Sequence, residues 1–219
     1  MYIKILLQVA VRSITNYNTK KKKMQHVSFS SFCCFFLVFI FFLFTPKDEI
    51  SATTMLSVDV INKTCQTCSD KSSVFNYSFC LASLQEIPVS RTTNLQGLAI
   101  VAMELALQNA TNTLSIIKEL LNNESLIPSS ACLRDCSLLY SDGVETLVDT
   151  IGAFLTGQYG NAGAWMSVVM EGTTTCEEGF QDMEEVSPLT KQNYSLFQLC
   201  DAAFCIMNLL ASDVYLLKS

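Results

Sequence analysis

The chain has 219 residues, half of them hydrophobic, with 14 basic and 20 acidic side chains, ten cysteines and one histidine. That length makes one or at most two domains and supports a sizeable buried core. The net charge is −6, and it falls to −11 beyond residue 52, an acidic balance that repels phosphate backbones and argues against nucleic-acid binding.

The first element is a leader, residues 1–52. Lys20 to Lys23 precede a segment, Met24 to Pro46, that contains no Asp, Glu, Lys or Arg, and within it Phe32 to Phe44 is wholly apolar. A basic flank, a short apolar run and a polar sequel form the layout of a secretory signal peptide. The uninterrupted apolar run falls short of the roughly 20 residues that span a membrane, so an uncleaved anchor ranks second. A buried core helix ranks last, because nothing polar marks a second face. No A-x-A site appears, so cleavage is placed between Pro46 and Ser57, with Met24 as an alternative start. Beyond residue 52 there are seven Lys or Arg against eighteen Asp or Glu, a net charge of −11. Such a surface favours a protein partner with a basic or neutral face, with no membrane contact after signal cleavage.

The next stretch is short and interrupted. Ile61–Cys68 and Tyr77–Leu84 read as two brief helices joined by the polar segment 69–73, neither long enough to be stable alone. A Cys65–Cys80 bridge would staple them, contributing roughly 3 kcal/mol in the chain-entropy estimate. Pro88 to Thr93 is a linker, and Thr93 or Asn94 can cap the helix that follows.

That helix, Leu95 to Leu121, carries two apolar seams. One is Ile100, Met103, Leu107, Ala110, Leu114, Ile117 and Leu121; the other is Leu95, Leu98, Ala102 and Leu105. Spacings of three and four place each set on one stripe, and two stripes make a face wide enough for more than one neighbour. A second long helix is expected from about Ser130 to Thr156, started by Pro128 and Ser129 or Ser130, with the stripe Leu133, Cys136, Tyr140, Val144, Leu147, Ile151, Phe154. Gly157, Gly160 and Gly163 follow a helix rather than a strand and read as a turn, not a phosphate cradle. A third helix runs from about Asn161 to Met183, with Trp165, Val169, Cys176, Phe180 and Met183 inward and the acidic run Glu177 to Glu185 as a solvated face. A fourth, capped by Thr190, runs from Lys191 to about Tyr215 with two stripes, one through Phe197, Cys200, Phe204, Met207, Ala211 and Val214 and one through Leu196, Leu199, Ala203, Ile206 and Leu210. The predicted fold is all-α: an up-down-up-down four-helix bundle over residues 58–216, preceded by a short helical hairpin. Cys136 lies 22 residues before Gln158 and Cys176 18 after it, so the two stand within roughly 6 Å in height on antiparallel helices, which is compatible with a bridge.

Chemistry is mostly missing. The only histidine, His26, sits in the leader, which removes the commonest general base and metal ligand from the domain. No nucleophile elbow, P-loop or dinucleotide fingerprint occurs. Cys65-x-x-Cys68 lacks the βαβ setting of a redox pair and a second pair for zinc, so it reads as structural. No catalytic residue, metal site or cofactor is expected. Eight cysteines after the leader argue for disulfides in a secreted protein. Five Asn-x-Ser/Thr acceptors occur; Asn109 lies between helical seams and is set aside, leaving Asn62, Asn76, Asn123 and Asn193 as candidate glycosylation sites.

Ile61-x-x-Thr64-Cys65, then Asn76-Tyr77-x-Phe79-Cys80, Asp135-Cys136-x-x-Leu139-Tyr140, Trp165-x-Ser167 and Thr175-Cys176-x-Glu178-Gly179-Phe180 resemble the motifs of the plant invertase and pectin methylesterase inhibitor family. The resemblance covers roughly residues 58–212. It implies a four-helix bundle behind a helical hairpin, disulfides Cys65–Cys80 and Cys136–Cys176, and a non-catalytic inhibitor secreted to the apoplast or cell wall. Such an inhibitor forms a stoichiometric, non-covalent complex over the active-site cleft of its target. Cys68, Cys132, Cys200 and Cys205 are extra, with pairing open; a bond between Cys200 and Cys205 is disfavoured because they face different sides of one helix. The Pro-Lys-Phe element of invertase inhibitors appears here as Gly157-Gln158-Tyr159, with the aromatic kept and the cation lost. This turn is the candidate target contact if the partner is an acid invertase. The Trp165 motif turns the expectation toward pectin methylesterase, reached through the second and third long helices. A bundle that holds a small ligand between its helices is the remote alternative.

Overall fold

The computed structural model describes residues 50–123 and 130–216, with side chains placed over 60–122 and 130–212. Six α-helices follow in order: α1 Ile50–Lys71, α2 Tyr77–Glu86, α3 Leu95–Asn123, α4 Ser130–Leu155, α5 Tyr159–Asp182 and α6 Thr190–Leu216. A 3-10 turn, Pro88–Thr92, occupies what the sequence presents as a linker. Among the described residues there is no strand. α3 packs on α4, α4 on α5 and α5 on α6, and α6 closes back on α3. With three residues joining α4 to α5 and seven joining α5 to α6, this is the up-down-up-down bundle. The leader, apart from its last three residues, lies outside the described residues, as do Pro128 and Ser129. α1 begins at Ile50, inside the window where cleavage is placed, and is much longer than the helix expected from Ile61 to Cys68.

The core forms where the stripes predict. On α3, Leu98, Ala102, Met103, Ala110 and Ile117 are fully buried while Ile100, Leu107 and Leu114 are half-buried, and Ala106, off both seams, is buried as well; Leu133, Leu147 and Phe154 are fully buried on α4. Trimming a buried phenylalanine such as Phe154 to Ala costs about 3–5 kcal/mol in cavities of this kind. The entry to α3 is set by Asn94, whose Oδ1 accepts from the Gly97 backbone N–H at 3.0 Å. A Cβ at Gly97 would stand 2.8 Å from that of Thr93, so only glycine lets the incoming chain fold this close.

α5 departs from expectation. Its inward residues are Ala162, Met166, Val169, Thr173, Cys176 and Phe180. Trp165 and Met183, expected to face inward, are 38% and 50% exposed. Trp165 precedes Met166 by one position, about 100° round the helix, and the smaller Met166 takes the core place.

Among the described residues there are three disulfides. Cys65–Cys80 staples α1 to α2, and Cys136–Cys176 joins α4 to α5 with Cα atoms 5.0 Å apart. Cys68–Cys205 ties α1 to α6 across 137 residues of sequence, with Cα atoms 5.9 Å apart. Cys132 and Cys200 are free and buried.

Candidate protein-binding face

Inside the bundle the polar groups are engaged in structure. The Tyr140 hydroxyl on α4 donates to Asn193 Oδ1 on α6 at 2.8 Å, and Asn193 Nδ2 donates to Glu177 Oε2 on α5 at 2.7 Å. The Thr190 hydroxyl donates to the other Glu177 oxygen. Three helices are therefore joined by one satisfied polar chain, the arrangement that makes buried polar groups tolerable. Burial pushes the Tyr140 hydroxyl well above its ordinary range, and it does the same to the Cys200 thiol, which holds that cysteine protonated and unreactive.

This network corrects three readings. Asn193 is not an available glycan acceptor, because it is buried with both ends of its amide bonded. Glu177 is not part of a solvated face, since its carboxylate holds the start of α6. Thr190 is the first residue of α6 rather than its cap, and its hydroxyl turns to Glu177. Of the other acceptors, Asn62 is exposed. Asn76 caps α2 through Phe79 N–H and donates to the Tyr194 hydroxyl. Asn109 is half-buried with its Oδ1 enclosed and unpartnered. The side chain of Asn123 lies outside the described residues.

The turn between α4 and α5 is a helix stop. Gly157 has φ +78°, its N–H donates to the Phe154 carbonyl, and the Gln158 N–H donates to that of Ala153. These paired bonds around a left-handed glycine satisfy the last carbonyls of α4. Gln158 Oε1 accepts from Asn161 Nδ2, and Gln158 Nε2 donates to the Thr156 hydroxyl. Tyr159 does not project: it is half-buried, with its ring centroid 5.2 Å from that of the fully buried Phe154.

Outward, α4 and α5 present a different surface. Leu138 and Leu155 on α4 and Trp165 and Val168 on α5 are exposed large apolar residues. Trp165 and Val168, three apart, share one stripe. The same two helices carry the exposed carboxylates Asp135, Asp142, Glu145 and Asp149 on α4 and Glu171, Glu178 and Asp182 on α5, against a single exposed base, Arg134. An open groove of about 290 Å³ runs between the two helices, lined by Cys132, Asp135, Leu139, Gly179 and Met183 among others. The Cys132 thiol donates to the Gly179 carbonyl across it at 3.2 Å. A second groove of about 230 Å³ lies between α5 and α6, with Thr173, Glu177, Asn193 and Phe197 in its walls. Both are open surface features, so neither supplies the enclosed apolar void that a ligand-holding bundle needs. An exposed aromatic with an exposed aliphatic residue three positions on, on helices that otherwise expose carboxylates, suits a protein-binding surface. Nothing in the sequence pattern distinguishes Trp165 from a core residue; its exposure is visible only once α5 is rotated into place.

The comparisons with known proteins agree on one family. The sequence profile described as "Plant invertase/pectin methylesterase inhibitor" matches residues 59–206. A protein of Platanus acerifolia named "Putative invertase inhibitor" is 32% identical over 159 residues, covering 72% of this chain and 89% of the relative. The "Pectinesterase inhibitor" of Actinidia deliciosa is 29% identical, covering 62% of this chain and 74% of the relative. A crystal structure of a mutant form of a pectin methylesterase inhibitor from Arabidopsis shares the fold at TM-score 0.59 and 23% identity, covering 67% of this chain and 95% of that one. With the profile spanning the hairpin and most of the bundle, the chain belongs to the plant invertase/pectin methylesterase inhibitor family, whose members are inhibitors of enzymes and not enzymes themselves.

Proposed function

We propose that this protein is a secreted inhibitor of a pectin methylesterase, acting in the cell wall by laying the outward face of α4 and α5 over the active-site cleft in a one-to-one complex. The observation that carries the reading is the contrast between that face and the α4–α5 turn. The face offers Trp165 and Val168 to a partner, whereas the turn ends in Gly157-Gln158-Tyr159 with no cation and with the tyrosine ring packed back on Phe154. The test is a titration of purified pectin methylesterase and of acid invertase with the protein. Esterase activity falls to its floor near one equivalent while invertase activity is kept. Loss of invertase activity with the esterase untouched overturns the reading.

Inhibition of an acid invertase is the second reading, favoured by the name of the Platanus relative. It assigns the contact to the 157–159 turn, so Tyr159→Ala then weakens an invertase complex far more than an esterase complex. Equal effects on both would show that the turn does not choose the target.

A further inference from the structure

We propose that the Cys68–Cys205 bond is a reducible latch: it holds the α1–α2 hairpin against α6, and the hairpin, still stapled by Cys65–Cys80, lifts away and loosens when a dithiol opens it. The connectivity comes first. Cys65–Cys80 lies within the hairpin and Cys136–Cys176 within the bundle, so Cys68–Cys205 is the one disulfide that crosses between them. The chain itself crosses only at Thr93 and Asn94. The preceding 3-10 turn travels with the hairpin, because the Arg91 guanidinium donates to the Gln85 carbonyl at the end of α2.

Access comes second. Of the six bonded cysteines, Cys65, Cys68, Cys80, Cys136 and Cys176 are buried, and only Cys205 is partly exposed. Disulfide exchange needs a thiolate to reach a sulfur, so this bond is the one open to attack. The thiolate of the dithiol bonds to Sγ of Cys205 and displaces the Cys68 thiolate, which takes a proton. The reagent's second thiol then closes on its own sulfur and releases Cys205 as a thiol, and the reagent departs as a cyclic disulfide with two electrons transferred to the protein.

Third, what remains after opening is non-covalent: Ile61, Phe75 and Leu84 are buried in the shared core, and a few polar bonds reach across from α6. Gln198 on α6 accepts from the Asn76 backbone N–H at 2.7 Å and donates to the Val74 carbonyl at 2.9 Å. Tyr194 accepts from Asn76 Nδ2 and meets Phe79 edge-on at 5.8 Å. Against these stands Asp201, three residues after Gln198 and four before Cys205, hence on the same stripe of α6. It is buried, and its Oδ2 has no hydrogen-bond partner. Lifting the hairpin returns that carboxylate to water.

The experiment is a dithiothreitol titration of the intact protein, read by differential alkylation with mass spectrometry and by amide hydrogen exchange. Cys68 and Cys205 are alkylated first. At that point the amides of α1, α2 and the 194–205 stretch of α6 lose protection by about tenfold or more, while those of α3 to α5 keep theirs. The Cys68→Ser/Cys205→Ser variant shows the same exchange pattern without reductant. Prior opening of Cys65–Cys80 or Cys136–Cys176 overturns the proposal. So does hairpin protection that survives the loss of Cys68–Cys205.

Discussion

The bundle and the hairpin are both built of helices and hold them by different means. In the bundle, long stripes on α3, α4, α5 and α6 bury side chains to zero exposure, and the chain of Tyr140, Asn193, Glu177 and Thr190 ties α4, α5 and α6 together. The hairpin has less to bury: α2 is ten residues long, with Cys80 and Leu84 buried, and Ile61 and Phe75 add to them. It relies on two disulfides and on Gln198 and Tyr194 reaching across from α6. Covalent links take over where apolar area runs out, as in small secreted domains generally.

The largest break in that comparison comes from removing a link inside the bundle. Cys136→Ser/Cys176→Ser opens a 40-residue loop and should cost about 4 kcal/mol by the chain-entropy estimate. A denaturant melt unchanged from the native protein would show that this bond has no structural role. Gln198→Ala probes the other side. It strands the Asn76 N–H and the Val74 carbonyl, costing about 1–3 kcal/mol. The cost falls on the hairpin alone, so exchange protection drops in α2 and stays level in α4. A uniform drop would mean that hairpin and bundle unfold together.

The smallest effect is a matter of pH. Burial raises the Asp201 carboxyl above its ordinary range, so the folded state binds its proton more tightly than the unfolded chain does. Its favourable contribution is complete below the unfolded carboxylate range and is lost as pH rises through the raised value. Asp201→Asn should therefore melt higher than the native protein at neutral pH and converge with it near pH 4. A constant gap across that range would place the cause elsewhere than in this ionisation.

Much of this was legible in the chain because apolar spacing and packing agree. The stripes on α3, α4 and α6 fall on buried or half-buried residues wherever side chains are described, and the limits of the four long helices are met to within about three residues, since Asn94, Gly157 and the Pro188 region punctuate them; α1 starts eleven residues before its expected limit. α5 was harder. Ala162, Gly163 and Thr173 occupy its buried side because neighbouring helices come close there, and the bulky Trp165 and Met183 are turned outward. A stripe drawn through the largest residues therefore misses the true inner face. The Cys68–Cys205 bond was illegible for another reason: its partners meet only after the hairpin has docked, and no local spacing records that event. Asn193 reads as a glycan acceptor from its sequon, yet the buried hydroxyl of Tyr140 claims it.

The α4–α5 face is where the account stands or falls. With no histidine in the domain, and with Cys200 buried and protonated, the protein has covering surface rather than reactive groups to offer a target. Calorimetric titration of pectin methylesterase with the native protein and with Trp165→Ala tests this most directly. The account predicts a one-to-one complex that the substitution weakens by about thirtyfold, the cost of a central aromatic anchor, while the melting temperature of the free protein barely moves. An affinity unchanged by the loss of Trp165 would contradict it.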